Sequence, residues 1–156
     1  MIRVQREDFD VGAELAGLAA GNPRIGGLAV FVGLVRDTAG GEPIGAMTLE
    51  HYPGMTEKML ARIEAEAKKR WPLEASLVIH RTGRLEPGAQ IVLVATASAH
   101  RQAAFDACRF LIDWLKTKAP FWKLEETGEG AKWVDARGRD DAAAGRWVEA
   151  DPDAAE

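Results

Sequence analysis

Residues 27–35, Gly-Leu-Ala-Val-Phe-Val-Gly-Leu-Val, form a nearly continuous apolar run. The run is far shorter than the roughly 20 residues that cross a bilayer. Its β-branched and aromatic content reads as a strand, and its lack of alternation as a buried one. Such a strand needs cover, and the flanking sequence offers it. Asp8 to Ala20 reads as a helix with Asp8 or Asp10 as cap and Val11, Leu15 and Leu18 on one face, ended by Gly21-Asn22-Pro23. Met55 to Trp71 repeats Met55, Met59, Leu60, Ile63 and Ala67 at helical spacing, stopped by Pro72. Arg101 to Lys118 carries Phe105, Cys108, Leu111, Ile112 and Leu115 on one stripe and ends before Pro120.

Between these helices lie short strands: Ile2–Arg6, Ala46–Tyr52, Ser76–Arg81, Gln90–Ala97, Phe121–Glu126 and Lys132–Asp135. Asp37 to Gly45 is rich in Gly and Pro and reads as a mobile loop, Glu86-Pro87-Gly88 as a turn, and Asp140 to Val148 as a last helix. Hairpin-like and crossover connections alternate irregularly. The expected fold class is therefore α+β, with helices packed on a mostly antiparallel sheet. One domain over residues 1–148 is expected, followed by an acidic, frayed tail at 149–156.

That tail holds four acidic residues, which equals the net charge of −4, so the body is near neutral. Such a balance disfavours a protein that coats duplex nucleic acid. The amino terminus shows no signal-type apolar stretch, and a cytosolic protein with no membrane attachment is expected. The single Cys108 excludes a disulfide framework or a CxxC pair, and as part of an apolar stripe it reads as an inert buried thiol. His51, His80 and His100 show no metal-ligand spacing, and no GxGxxG or Walker segment joins a strand to a helix. No metal and no cofactor is expected.

Cations mark three element ends. Arg36 follows the apolar strand that carries Phe31 and Gly33. His100-Arg101 opens the long helix, where free N–H groups favour an anion; Ser98 is placed to cap it and Arg101 to fork onto a phosphate. Lys116 to Lys123 sets lysines around a Pro-aromatic turn. Each has an ordinary reading as well. Arg36 alone fits a solvated edge charge, Lys116 and Lys118 complement a helix dipole, Phe121 and Trp122 fit core positions, and Met55 and Met59 fit helix packing. Spacing alone gives a small-anion site and no more.

The wording of the segments adds to this. FVGLVR at 31–36, LEHYPGM at 49–55, IHRTG at 79–83, SAHR at 98–101 and LKTKAPFWK at 115–123 together resemble the large, catalytic subunit of molybdopterin synthase. The likeness spans about residues 27–147. It implies an α/β hammerhead with an additional antiparallel sheet. It also implies an enzyme that converts cyclic pyranopterin monophosphate (precursor Z) into molybdopterin by installing a dithiolene. The sulfur would come from the thiocarboxylated C-terminal glycine of a small ubiquitin-like partner, and the assembly would be a heterotetramer around a homodimer of this chain. Carried onto this sequence, the resemblance makes Lys116 and Lys123 catalytic, and gives Leu34, Val35, Arg36, His100, Arg101, Leu124 and Glu125, with both lysines, to the substrate pocket. The Arg36–Gly45 segment becomes a wall for the partner's slender tail, and Arg137 a residue that reaches the other protomer's site. Two rival classes stand beside this reading. A non-catalytic module for an anionic ligand or for the ubiquitin-like protein predicts lysines replaceable one at a time. A single-stranded nucleic-acid binder using Trp122 and its lysines predicts a steep salt dependence, against the acidic balance.

Overall fold

The computed structural model describes residues 1–134 and 138–148. The expected acidic tail at 149–156, Asp135 of the last expected strand, and Arg137 lie outside the described residues. The chain runs β1 (Ile2–Gln5), α1 (Val11–Ala19), β2 (Gly27–Leu34), β3 (Thr38–Ala39), β4 (Glu42–His51), α2 (Met55–Arg70), β5 (Leu73–Arg81), β6 (Gly83–Leu85), β7 (Gln90–Ser98), α3 (Arg101–Lys118), β8 (Phe121–Thr127), β9 (Gly130–Val134) and α4 (Gly138–Gly145).

Two sheets result. The first has the order β1-β5-β7-β2, with only the β1–β5 pair parallel; the second joins β3, β4, β8 and β9, with β6 also on β4. This is the expected α+β arrangement with mostly antiparallel pairing. Successive side chains of a strand face opposite ways, and the first sheet buries both sides. Val92 and Val94 of β7 meet the core under α2 and α3, whereas Leu93 and Ala95 meet Phe9 and the apolar face of α1. A smaller cluster of Val35, Met47, Leu49 and Leu85 underlies the second sheet.

Local chemistry sets the helix ends. The Asp10 side chain accepts from the Ala13 N–H at 2.9 Å, which decides the cap of α1 between the two expected aspartates. At α2, Gly54 takes φ +82° and its N–H donates to Glu57 at 2.7 Å. α3 has the expected bounds. At its start, however, Ser98 donates to the Pro72 carbonyl at 2.8 Å, and its Oγ is 3.5 Å from the His100 N–H. Ser98 thus donates across the fold and accepts from the His100 N–H only at the limit of hydrogen-bond length, while His100, the N-cap, makes no side-chain cap bond.

Other expectations also change. The apolar run of β2 is the edge of its sheet, and Leu28, Val30, Phe31 and Leu34 are exposed rather than buried. A sheet edge next to only one other strand receives less cover than a central strand. Residues 37–45 are a β-hairpin rather than a mobile loop: Thr38 pairs with Pro43, and Gly40 and Gly41 both take positive φ, as a two-residue hairpin turn demands. Phe105 is 63% exposed. The buried stripe of α3 runs instead through Ala103, Ala104, Ala107, Cys108, Phe110, Leu111 and Leu115. Trp122 is exposed, whereas Phe121 is half-buried, because neighbours on a strand face opposite sides.

Phe110 is fully buried among Trp71, Trp114 and Trp147, at centroid distances of 5.3, 4.5 and 5.7 Å, and so ties α2, α3 and the end of the chain together. Fully buried Thr56 makes a second tie: its Oγ1 accepts from the Tyr52 N–H at 3.1 Å and donates to the Pro120 carbonyl at 3.2 Å. It joins the start of α2 to the Pro120 turn. Thr56→Val keeps the shape and deletes both bonds, so it is expected to lower unfolding free energy by about 1–3 kcal/mol in urea titration. An unchanged urea midpoint would show that the tie contributes nothing.

Candidate functional site

A cleft of about 560 Å³ opens between the two sheets beside the C-terminal end of α3. That volume suits a small-molecule site. Its walls come from the end of β2, the β3–β4 hairpin, the centre of β4, His80 of β5, the start of β7, the end of α3 and the inward face of β8. Met47, Leu49, Ile91 and Leu115 supply apolar wall.

Arg36 lies in this cleft because its neighbour is anchored. Val35 is 3% exposed, its N–H donates to the Ala89 carbonyl at 2.9 Å, and its carbonyl accepts from the Gly88 N–H at 2.8 Å. Val35 itself packs under the second sheet and fixes the backbone that presents Leu34 and Arg36. Gly33 is needed beside them, since a Cβ there would stand 2.7 Å from Val92 Cγ1 and 3.4 Å from Phe31.

Lys123 and Glu125 enter by period two. Phe121, Lys123 and Glu125 share the cleft face of β8, so Leu124 faces the other way, in register with Thr48 and Trp133. Glu125 is 4% exposed, and its Oε1 is 3.6 Å from Lys123 Nζ. Lys116 arrives from the last turn of α3, with its Nζ 4.0 Å from Asp140 of α4. Lys118 goes elsewhere, lying 4.5 Å from the centroid of the Trp114 ring. Three donor-only cations thus meet in one hollow with two carboxylates in partial compensation, which is a site for an anion.

His100 and Arg101 are exposed and outside this hollow. They open α3, whereas Lys116 is near its end, about 22 Å along the axis at 1.5 Å per residue. The single chain therefore gathers Leu34, Arg36, Lys116, Lys123 and Glu125, and leaves out Val35, His100, Arg101 and Leu124.

Two lining features have no role in the motif reading. Asp140 partners Lys116. His80 lies flat on Phe121, with centroids 3.7 Å apart and planes 16° apart. In sequence, His80 falls within the motif IHRTG and ends the apolar stretch Leu77-Val78-Ile79, but neither feature gave it a role. His80 is 5% exposed, and its Nδ1 is 2.8 Å from the Arg81 carbonyl. A carbonyl only accepts, so Nδ1 carries the proton. Burial pushes the imidazole pKa down to about 4, opposed by the Arg81 carbonyl and assisted by nearby His51. Burial likewise pushes the Cys108 thiol up to about 11, in keeping with an inert buried cysteine. Among the described residues, no group of three His, Cys, Asp or Glu side chains is arranged to hold a metal, and no helix is long and apolar enough to cross a membrane.

With this geometry in hand, comparison with known proteins is informative. The family model described as "MoaE protein" matches residues 4–118. A protein of Pseudomonas aeruginosa named molybdopterin synthase catalytic subunit is 60% identical over 148 residues, covering 95% of this chain and 99% of that one. A solved molybdopterin biosynthesis MoaE protein from Burkholderia ambifaria superimposes with a TM-score of 0.82 at 57% identity, over 95% of this chain and 97% of that one. A solved molybdopterin synthase from Staphylococcus aureus gives a TM-score of 0.79 at 31% identity, over 85% and 96%.

The buried imidazole makes stability depend on pH. An unfolded histidine titrates near 6.5, so the unfolded chain takes up its proton first as pH falls. The contribution is intact above about pH 6.5 and is lost progressively toward pH 4, in total about 3 kcal/mol. Urea titrations at pH 7 and pH 5 are expected to show wild type losing more stability than His80→Phe. Equal losses would mean that the imidazole is not held neutral by the fold.

Proposed function

This chain belongs to the MoaE protein family, and from that premise we propose that it is the catalytic subunit of a molybdopterin synthase. It moves sulfur from the C-terminal thiocarboxylate of a small ubiquitin-like subunit to cyclic pyranopterin monophosphate, forming the dithiolene of molybdopterin. The observation that carries this reading is the convergence of Arg36, Lys116 and Lys123 on one cleft with an apolar wall. The phosphate is held by donor-only cations, the guanidinium offering a fork and the ammoniums point charges. The apolar wall and the β3–β4 hairpin leave a slot for a slender glycine tail.

Lys116 and Lys123 are the groups placed to act on the acyl-sulfur centre and to move protons during attack. Help of this kind is worth about 10²- to 10⁴-fold. Their carboxylate neighbours, Asp140 and Glu125, lie within 4.0 Å of the ammonium ends and balance part of their charge. Sulfur arrives on the partner, so buried Cys108 need take no part. The working form is a homodimer of this chain within a heterotetramer, in the cytoplasm. The exposed apolar edge of β2 suits such an assembly. Within it, His100 and Arg101 serve the cleft of a neighbouring copy, since in their own chain they stand a helix length away.

The test is reconstitution. The chain, a thiocarboxylated small subunit and cyclic pyranopterin monophosphate are expected to yield molybdopterin. Lys116→Ala and Lys123→Ala should each fall by at least about 100-fold with unchanged thermal unfolding. Full turnover by both variants would reject the catalytic assignment.

The dimer arrangement has its own check. Lys116→Ala and Arg101→Ala proteins, each inactive alone, are mixed and allowed to exchange subunits. Mixed dimers then regain one intact site, giving about a quarter of wild-type activity if subunits pair at random. No recovery would place His100 and Arg101 outside the neighbour's cleft.

A further inference from the structure

We propose that His80 is a substrate-orienting residue whose Nε2 accepts a hydrogen bond from an N–H group of the heterocyclic part of the guest. The proposal rests on the activity above for the identity of that guest, a fused ring rich in N–H groups and bearing a cyclic phosphate.

The argument begins with donors and acceptors. Of the polar side chains lining the cleft, Arg36, Lys116 and Lys123 only donate. Glu125 and Asp140 also accept, as charged carboxylates each paired with a lysine within 4.0 Å. Thr38 is exposed. Among the described residues, His80 is the remaining polar group of the lining and its one buried neutral acceptor. Nδ1 is committed as a donor to the Arg81 carbonyl, which leaves the lone pair on Nε2. Among the described residues no hydrogen-bond partner reaches Nε2, yet it is not among the sealed, unsatisfied atoms either. Phe121 of the second sheet, stacked with ring centroids 3.7 Å apart, holds the ring plane, and the Nδ1 bond to Arg81 sets which edge carries Nε2.

The environment also keeps the imidazole an acceptor. Burial disfavours a positive charge on the ring, and the nearby His51 adds to this. A protonated His80 would add one more donor to a cleft that already has three. The neutral ring adds the one function the cations lack. Cations hold an anion without regard to what else it carries, whereas an acceptor at fixed depth selects for an N–H at the right distance from the phosphate. His80 therefore separates the phosphorylated heterocycle from a bare phosphate.

The test uses the full chain in complex with the small subunit ending in an ordinary carboxylate, so that no turnover occurs. Binding of cyclic pyranopterin monophosphate and of inorganic phosphate is measured for wild type and for His80→Phe, which keeps a ring against Phe121. The expected result is a dissociation constant raised about tenfold for the pterin and changed less than about twofold for phosphate. Pterin binding unchanged, or both ligands weakened alike, would overturn the assignment.

A second readout needs no variant. In ¹⁵N-histidine-labelled wild type, the unprotonated Nε2 resonance should move upfield when the pterin is added and stay in place with phosphate. No movement with the pterin overturns the proposal even if reconstituted turnover is normal. Movement in a protein that makes no molybdopterin with a thiocarboxylated partner sinks the activity and leaves the acceptor standing.

Discussion

The burial of one face of α3 against the first sheet is the constraint on which the rest depends. Phe110 is wholly buried between Trp71, Trp114 and Trp147 and cannot slide without opening a cavity in a dense interior. Leu111 and Leu115 continue that stripe. Lys116 is six residues beyond Phe110, about 9 Å along the axis. Its position over the cleft is thus set by aromatic packing rather than by its own contacts. The same seam explains why Lys118, two residues on, takes the Trp114 ring instead of the cleft.

The site itself is a junction between two sheets. Arg36 comes from the segment leaving β2, which is clamped at Val35, and Lys123 from β8 in the other sheet. The stacked pair of His80 and Phe121 bridges the sheets. Three cations brought so close repel one another, and Asp140 and Glu125 offset part of that cost without closing the hollow to an anion. The shape and the charge of the cleft therefore have one source, the meeting of the two sheets.

Much of this was legible in advance, and the parts that were not share a cause. The bounds of α3 followed from its periodicity and Pro120, and Cys108 fell on the buried stripe as expected. The motif resemblance brought forward Leu34, Arg36, Lys116, Lys123 and Glu125, which the fold gathers. It also brought forward Val35, His100, Arg101 and Leu124, which the cleft of a single chain does not include. A motif records which residues matter together, and it does not say which face of a strand each one takes or which copy of the chain it serves. The strand β2 looked buried because its residues are apolar, yet it lies at an edge. Residues 37–45 looked like a loop because of their glycines, yet Gly40 and Gly41 are what allow the tight hairpin turn.

The sequence by itself determined the main helices and most of the strands, the apolar setting of the cysteine, the inventory of cations and the family resemblance, because these depend on residue type and near-neighbour spacing. Only the tertiary structure decided which cations share a hollow, that the Ser98 hydroxyl donates across the fold to Pro72, and that His80 lies buried against Phe121 in the cleft lining. Those outcomes depend on contacts between residues far apart in the chain, such as β5 with β8, and on the alternation of strand faces once a register is chosen. No local pattern carries that register, because it is selected by the burial of both sheets at once.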